Sequence, residues 1–332
     1  MTVDRTAAAA APPVKNTAAP AAPRRRRNWA PAFFLLPFFI PFILFTLVPV
    51  GYAFYQSLLK TERTGGTFGR KTTVFAGFEQ YKEVLGDPEF LGSVGRVVLF
   101  GLVQIPLMLL LALTLALLLD STVARLKRFF RIAYFVPYGI PGVIAALMWA
   151  FLYDPRLSPV VELLDEVGSA PDFLGSSMML WSIGNIVTWT YTGYNMLIIY
   201  AALQAVPGDI YEAARMDGAS EAKIAWRIKI PILRPALMLT GVFSIIGTLQ
   251  LFTEPQVLRS ISTSVTSTYT PNLAAYSLAS SDNYSEAAAM SVTLALATFV
   301  LSFGFLKFTG RNGVKFASSA RPRGRTRPRG AA

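Results

Sequence analysis

The sequence predicts an all-α integral membrane protein with six transmembrane helices and a helix-turn-helix in the polar loop between the fourth and fifth. Hydrophobic residues make up 53% of the 332 residues, the mean hydropathy is +0.45, and charged residues make up only 15%, well below a soluble domain's usual share. The formal net charge is +12, and the cations collect in tails and short loops. That distribution is typical of a polytopic membrane protein and disfavours a nucleic-acid binder, which spreads cations over a folded surface.

The chain contains no cysteine and no histidine. It therefore lacks a disulfide framework, a thiolate zinc site, an imidazole base and a His-containing catalytic triad. These absences disfavour an enzyme and leave only a carboxylate- or lysine-based site open. We expect a chain with no catalytic residues, no metal and no cofactor of its own.

Basic tails flank the apolar part of the chain. Residues 1–32 are rich in Ala and Pro and close with an arginine run at 24–27. Such a composition cannot bury a core, so it predicts a disordered tail whose arginines lie at lipid headgroups. Residues 311–332 are predicted to form a second basic, disordered tail. Residues 33–310 remain as the membrane domain.

Six apolar stretches are long enough to cross a hydrocarbon core, which needs about 20 residues. They cover residues 33–59, 97–119, 132–152, 178–203, 236–252 and 287–306, and none contains Asp, Glu, Lys or Arg. The N-terminal tail, the second and fourth loops and the C-terminal segment together carry 23 Lys and Arg, against 8 in the alternating loops. By the positive-inside rule, this bias predicts that both termini lie in the cytoplasm, together with the loop at 204–235.

The polar block at 211–235 reads YEAARMDGASEAKIAWRIKIPILRP. Good helix formers precede Gly218, which suits the left-handed conformation that closes a helix. Ser220 is a plausible N-cap for a second, amphipathic helix, and Pro231 and Pro235 predict its end before the fifth span. We therefore expect a helix, a tight turn and a second helix lying against the membrane.

The spacing in this block resembles the coupling loop of permease subunits of binding-protein-dependent ABC importers. The pattern is Glu-Ala-Ala from Glu212, three residues, Gly218, nine residues, then Ile228-x-Ile230-Pro231. Further segments place the resemblance in the carbohydrate branch, close to the larger maltose-type permease: VPVGY at 48–52, FAGFEQY at 75–81, FFR at 129–131 and AALQAVP at 201–207. The sequence departs from the pattern at Ala225, where the family commonly has an aromatic residue.

The resemblance implies a subunit of a larger assembly. Its partners would be a second, homologous permease, two ATP-binding cassette ATPase subunits and an extracytoplasmic solute-binding protein, in contact with lipid in the bacterial cytoplasmic membrane and with no nucleic acid. ATP and Mg would bind to the ATPase subunits, and this chain has no GxxxxGK[ST] motif. The residues expected to couple to the ATPase are Glu212, Ala213, Ala214, Asp217, Gly218 and Ala219.

A sugar-binding site in a membrane needs aromatic faces to stack on sugar rings and polar groups to meet hydroxyls. The candidates are Trp189, Tyr191, Tyr194 and Asn195 in the fourth span and Thr248, Gln250 and Glu254 near the fifth. At helical spacing Tyr191, Tyr194 and Asn195 share a face. By the resemblance, Tyr194 aligns with an aromatic that contacts the sugar in maltose-type permeases, and Tyr191 stands where those proteins have glycine. The alternative is that these amides, hydroxyls and rings only tie helices together or lie at the interface.

Three other functions stay open from the sequence. The same machine could carry a phosphorylated polyol or another polar solute, although a phosphate favours fixed cations and the predicted spans have none. An ion-coupled secondary transporter needs a titratable or cation-coordinating site in the membrane, and the predicted spans contain no carboxylate. A membrane-embedded hydrolase is disfavoured by the missing His and Cys. We therefore expect an importer of a sugar or oligosaccharide.

Overall fold

A computed structural model describes residues 30–64, 70–121, 123–168 and 171–318. Most of the predicted N-terminal tail and the last fourteen residues of the chain lie outside these ranges. The described part is mostly helical. By its internal contacts, the chain divides into two compact units, one ending at Val50 and one starting at Gly51.

The described part of the first unit, from residue 30 onward, is helical. α1 covers Ala30–Phe42, a π-helical turn covers Ile43–Leu47, and α2, Val48–Ser57, begins within this unit. Phe33 and Phe45 are each 75% exposed. Large apolar side chains with this much exposure are unfavourable in water, which agrees with the predicted first span.

The second unit contains a β-hairpin that the all-α prediction missed. β1 (Leu59–Thr64) and β2 (Arg70–Phe75) pair antiparallel, with Leu59 opposite Phe75. Four of the twelve strand residues are threonine and one is valine, and their branched side chains favour extended backbone. The loop predicted between the first two spans therefore has regular structure of its own.

Helix α3, Glu79–Gly86, follows the hairpin. The Lys60 ammonium of β1 donates to the carboxylates of Glu79 at 2.7 Å and Glu83 at 2.6 Å. These hydrogen bonds raise the pKa of Lys60, because they stabilise its charged form. Because the pairs are partly exposed, they contribute little to the stability of the fold. We infer that their main effect is to orient the hairpin against α3.

The remaining helices are α4 (Pro88–Asp120), α5 (Lys127–Gly139), α6 (Gly142–Tyr153), α7 (Pro159–Glu166), α8 (Met179–Gln204), α9 (Asp209–Met216), α10 (Glu221–Ile224), α11 (Ile230–Leu249), α12 (Thr253–Leu258), α13 (Pro271–Ser280) and α14 (Tyr284–Ser318).

Among the described residues, four helical segments are long and apolar enough to cross a membrane: Phe33–Ser57, Pro88–Asp120, Glu221–Leu258 and Tyr284–Thr309. A fifth results if α5 and α6 form one broken span. The six-span count stays a prediction.

The predicted third span is not one straight helix. α5 and α6 meet at an angle of 96°, and Ile140 between them is extended, with φ −81° and ψ 128°. The cause is Pro141, because a proline disfavours helical backbone at the residue before it and has no N–H to continue the helix. The two prolines of the PYGIP stretch at 137–141 were the signal for this break.

The predicted fourth span coincides with α8, which at 26 residues is long enough to cross a membrane. It is less apolar than the four segments above, because it carries several Thr, Tyr and Asn side chains. α8 packs against α4, α5 and α11, and about half of its residues are buried, among them Ile186, Met196 and Ile199. A helix enclosed in this way needs less apolar surface than one that faces lipid.

Two predicted helix ends were wrong. Pro231 and Pro235 do not stop the chain before the fifth span, because Pro231 lies in the first turn of α11 and Pro235 lies inside it. A π-helical turn, Ala225–Lys229, precedes α11. Its hydrogen bonds join residues five apart instead of four. This spacing accommodates Pro231, which has no backbone N–H to donate. The last helix continues to Ser318, eight residues into the segment predicted as a disordered tail, and no proline occurs between its first residue and Pro322.

Candidate functional site

The first half of the polar block, around Gly218 and Ser220, folds as the sequence predicts. α9 ends at Met216, Gly218 has φ +75°, and its N–H donates to the Arg215 carbonyl at 2.9 Å. The Ser220 hydroxyl accepts from the Lys223 N–H at 3.4 Å and caps α10. The predicted glycine turn and serine cap are therefore confirmed.

The residues predicted to couple to an ATPase lie on the surface of this block. Glu212, Ala213, Asp217 and Gly218 are exposed, and Ala214 and Ala219 are half-buried. Two large apolar side chains stand beside them, since Met216 is 89% and Trp226 73% exposed. Exposed apolar groups among small residues are typical of a docking surface.

A buried ion pair ties this block to the long helices. The Lys229 ammonium lies 2.5 Å from Asp120 Oδ2 at the end of α4, and both side chains are largely buried. The Gln204 amide at the end of α8 donates to Asp120 Oδ1 at 2.9 Å. Asp120 thus joins three segments that are distant in sequence. The sequence analysis did not identify this cluster.

Tyr211 of α9 completes the cluster. Its ring lies 5.0 Å from the Lys229 ammonium, a distance at which the ring face attracts a cation. Burial, and secondarily the negative charge of Asp120, raise the pKa of Tyr211, so its hydroxyl stays neutral. The first short helix is therefore held to the same ion pair as α4, α8 and the π-helical turn.

A cavity of about 270 Å³ lies within the second unit. Residues from α4, α5, α8, α11, α12 and the link between the last two line it: Met108, Tyr138, Val187, Tyr191, Tyr194, Asn195, Phe243, Ser244, Gly247, Thr248, Gln250, Leu251, Phe252, Thr253 and Glu254. Six of the seven candidates named from the sequence are among them. The seventh, Trp189, is not a lining residue, and its ring instead packs edge-on against Trp149 of α6 at 5.7 Å.

The aromatic part of the lining contains a residue that the sequence analysis missed. The Tyr138 ring stacks on the Tyr194 ring at 4.6 Å and meets the Tyr191 ring edge-on at 5.8 Å. Tyr138 lies at the end of α5, next to the break at Pro141. The break was an available signal, because irregular backbone inside an apolar span is tolerated where it is buried in protein or lines a cavity.

Two of the polar candidates also tie helices together. The Asn195 amide donates to the Tyr191 carbonyl at 3.2 Å and contacts the Met108 sulfur of α4 at 3.6 Å. Thr248 is 5% exposed, and its methyl group would lie 3.2 Å from a Cβ at Gly101. These two residues reach the cavity, but they contribute to packing as well.

Glu254 lies in the first turn of α12 and is 8% exposed. Among the residues that the structure describes, no Lys or Arg pairs with its carboxylate and no side chain donates a hydrogen bond to it. It is also the only Asp, Glu, Lys or Arg in the cavity lining. Across the described ranges, no group of three or more acidic side chains could hold a metal ion.

The known proteins that this chain resembles in sequence are membrane components of transport systems. The family described as "binding-protein-dependent transport system inner membrane component" matches residues 108–308. The sn-glycerol-3-phosphate transport system permease protein UgpA of Brucella abortus is 33% identical over 209 residues, which cover 62% of this chain and 68% of that protein. The lactose transport system permease protein LacF of Rhizobium radiobacter is 31% identical over 275 residues, covering 80% and 90%.

The fold matches a solved structure. A chain of a bacterial ABC transporter involved in the import of the acidic polysaccharide alginate superposes with a TM-score of 0.73, covering 86% of this chain and 96% of that one. The same values apply to that transporter in complex with an alginate pentasaccharide-bound periplasmic protein. At 19% identity, the likeness shows a common fold.

Proposed function

Because this chain belongs to the family of binding-protein-dependent transport system inner membrane components, we propose that it is the permease subunit of an ATP-driven ABC importer. Its cargo is a sugar or oligosaccharide, carried inward across the bacterial cytoplasmic membrane. The lactose permease LacF is a relative whose name states a sugar as cargo. The chain spans six times, with both termini in the cytoplasm.

The observation that carries this proposal is the link between the polar block and the cavity. The π-helical turn after α10 is joined to the ends of α4 and α8, because Lys229 pairs with Asp120 and Asp120 accepts a hydrogen bond from Gln204. The exposed helix α9 is joined to the same turn, because the Tyr211 ring packs against Lys229. The two long helices α4 and α8 also line the cavity. A push on the exposed helices is therefore transmitted to the walls of the cavity without passing through a flexible loop.

The mechanism is mechanical, and the energy comes from partner subunits. Two ATPase subunits bind ATP and Mg, and one of them docks on the surface around Glu212 and Gly218. A solute-binding protein delivers the sugar, and a second permease subunit completes the pathway; the alginate transporter is in complex with an alginate pentasaccharide-bound periplasmic protein. Closure of the ATPases shifts α4 and α8 and changes the side of the membrane to which the cavity opens.

Two other cargo or energy schemes have specific support. The relative UgpA is named for sn-glycerol-3-phosphate, which favours a phosphorylated polyol. Against it, no Lys or Arg lines the cavity in the part of the chain that the structure describes.

An ion-coupled secondary transporter would use Glu254 as its titratable site. The exposed helix pair has no role in that scheme.

The test is uptake by vesicles that contain the complete transporter with its binding protein. A ligand screen on the binding protein identifies the sugar, and labelled sugar is then supplied with ATP or with a non-hydrolysable analogue inside the vesicle. We expect uptake with ATP alone. Uptake that follows a proton or sodium gradient without ATP would contradict the proposal and favour the ion-coupled scheme.

Replacing Glu212 with lysine should abolish ATP-driven uptake without affecting insertion. The residue is exposed in α9, and reversed charge at a docking surface costs affinity. Copurification of the ATPase subunits with the tagged chain measures docking directly. The control is Glu162→Lys in α7, an exposed acid in the loop predicted to lie outside, which should leave uptake at the parental level. Normal copurification and normal uptake by Glu212→Lys would refute the assigned surface.

Replacing Tyr194 with alanine should raise the sugar concentration needed for half-maximal uptake by about fivefold to about a hundredfold. Loss of a ring face and a hydrogen bond in a partly dry site costs about 1–3 kcal/mol, and each 1.4 kcal/mol is about tenfold in affinity. Tyr194→Phe keeps the stack on Tyr138 and separates the hydroxyl from the ring. If both variants transport like the parent, Tyr194 only packs between helices.

A further inference from the structure

The cavity has a strongly asymmetric set of polar groups. Its one charged side chain within the described ranges is Glu254, which is more than nine-tenths buried. The other polar side chains that line the cavity are those of Tyr138, Tyr191, Tyr194, Asn195, Ser244, Thr248, Gln250 and Thr253. All of these can donate or accept hydrogen bonds, whereas an ionised carboxylate can only accept them.

Within the described residues, the Glu254 carboxylate has a backbone N–H, its own, as a donor and can accept further hydrogen bonds. Burial of a charge is costly unless it is paired or hydrogen-bonded, and no side chain in the described residues supplies a donor to Glu254. The carboxylate lies at the cavity wall, where a bound molecule can supply that donor. An incoming anion would instead bring like charge against it in a region that water screens poorly.

We propose that Glu254 makes this cavity a charge filter. The cargo presents hydroxyl or ammonium groups to the Glu254 carboxylate, so the transporter carries neutral or amino-substituted sugars and rejects sugars that bear a phosphate or carboxylate. This inference rests on the proposed function for the identity of the cargo, but the charge preference of the cavity can be measured without any cargo.

The absence of cysteine from the sequence allows a direct probe of the cavity. A Cβ at Gly247 meets no atom within 4 Å, and Gly247 lines the cavity on α11. Gly247→Cys therefore places a single thiol in open space inside the site. In the assembled transporter, this thiol is reacted with a cationic and an anionic methanethiosulfonate of similar size. The reaction rate of each reagent is divided by the rate at which the same reagent reacts with a small thiol in solution, which corrects for its intrinsic reactivity.

We expect the corrected rate for the cationic reagent to exceed that for the anionic one at least tenfold. Adding Glu254→Gln should bring the ratio close to one, because the amide keeps the shape and removes the charge. Adding Glu162→Gln, which removes a carboxylate outside the cavity, should leave the ratio unchanged. Equal rates in the parent, or a ratio that survives Glu254→Gln, would overturn the filter.

Protection of the same thiol tests the cargo. Glucose or glucosamine in excess should slow its labelling by a neutral thiosulfonate, whereas glucuronate or glucose 6-phosphate should not. Protection by either anion as strong as that by glucose would overturn the proposal. Protection by none of the four would contradict a sugar cavity, and hence the proposed function, while the rate ratio still reports the charge of the site. The two failures are therefore distinguishable.

Discussion

Replacing Gly193 with alanine is expected to separate α5 from α8 and to destabilise the folded protein. A methyl group at this position would overlap the Tyr134 carbonyl oxygen, with the carbonyl carbon at 2.5 Å and the Phe135 Cα at 3.1 Å. All three are backbone atoms of a helix, so no side-chain rotation can relieve the overlap. The whole of α5 has to move.

The expected cost is at the upper end of the about 1–3 kcal/mol that overpacking a core usually causes. The movement also affects the cavity, because Tyr138 lies one helical turn after Tyr134 and stacks on Tyr194. We therefore expect both a lower melting temperature of the detergent-solubilised chain and loss of sugar protection at the cavity.

Gly304 of α14 supplies the matched control. It is also a helical glycine, but a Cβ there meets no atom within 4 Å. Gly304→Ala should be neutral or stabilise by up to about 1 kcal/mol, because alanine has the higher helix propensity. If Gly193→Ala melts like Gly304→Ala, the close approach of α5 and α8 does not exist in the folded protein.

The sequence predicted the first half of the polar block correctly because its structure is local. Gly218 and Ser220 act on their own turns, so the glycine turn and the cap follow from a few neighbouring residues. Tyr191, Tyr194 and Asn195 were grouped correctly for the same reason, since helical spacing alone places them on one face. The cavity that they share is completed by residues of α4, α5, α11 and α12, which helical spacing within α8 does not reveal.

Features that depend on distant segments were missed. Tyr138 reaches Tyr194 because Pro141 turns the chain through 96°, and no spacing in the sequence states that angle. The contact between Gly193 of α8 and Tyr134 of α5 depends on how the two helices are positioned against each other. Packing sets that position, and the sequence pattern of either helix does not reveal it. The hairpin of β1 and β2 was missed because the search for apolar spans passes over short polar strands.

The pair of Asp120 and Lys229 is the clearest case of a feature hidden from the sequence, since 109 residues separate its members. Replacing Asp120 with alanine is expected to destabilise the chain by about 3–5 kcal/mol, the usual cost of leaving one charge of a buried pair without its partner. The Lys229 side chain is only 6% exposed, so water cannot readily take the place of the carboxylate.

The double variant Asp120→Leu, Lys229→Met separates stability from function. Replacing a buried pair by apolar residues of similar size is often neutral or stabilising, so the double variant should melt close to the parent. It also removes the acceptor for Gln204 and the cation beside Tyr211. The block then loses its polar links to α4 and α8, and ATP-driven uptake should fall although the chain folds.

The exposed pair of Arg215 and Glu221 serves as the control within the same block. Its atoms lie 2.8 Å apart, but the side chains are 38% and 53% exposed, and the pair raises the pKa of Arg215 mainly through the hydrogen bond. Surface pairs contribute about 0–1 kcal/mol, so Glu221→Gln should change the melting temperature little. If Asp120→Ala behaves like Glu221→Gln, the ion pair is solvated, and the mechanical link between the exposed helices and the cavity must run through other contacts.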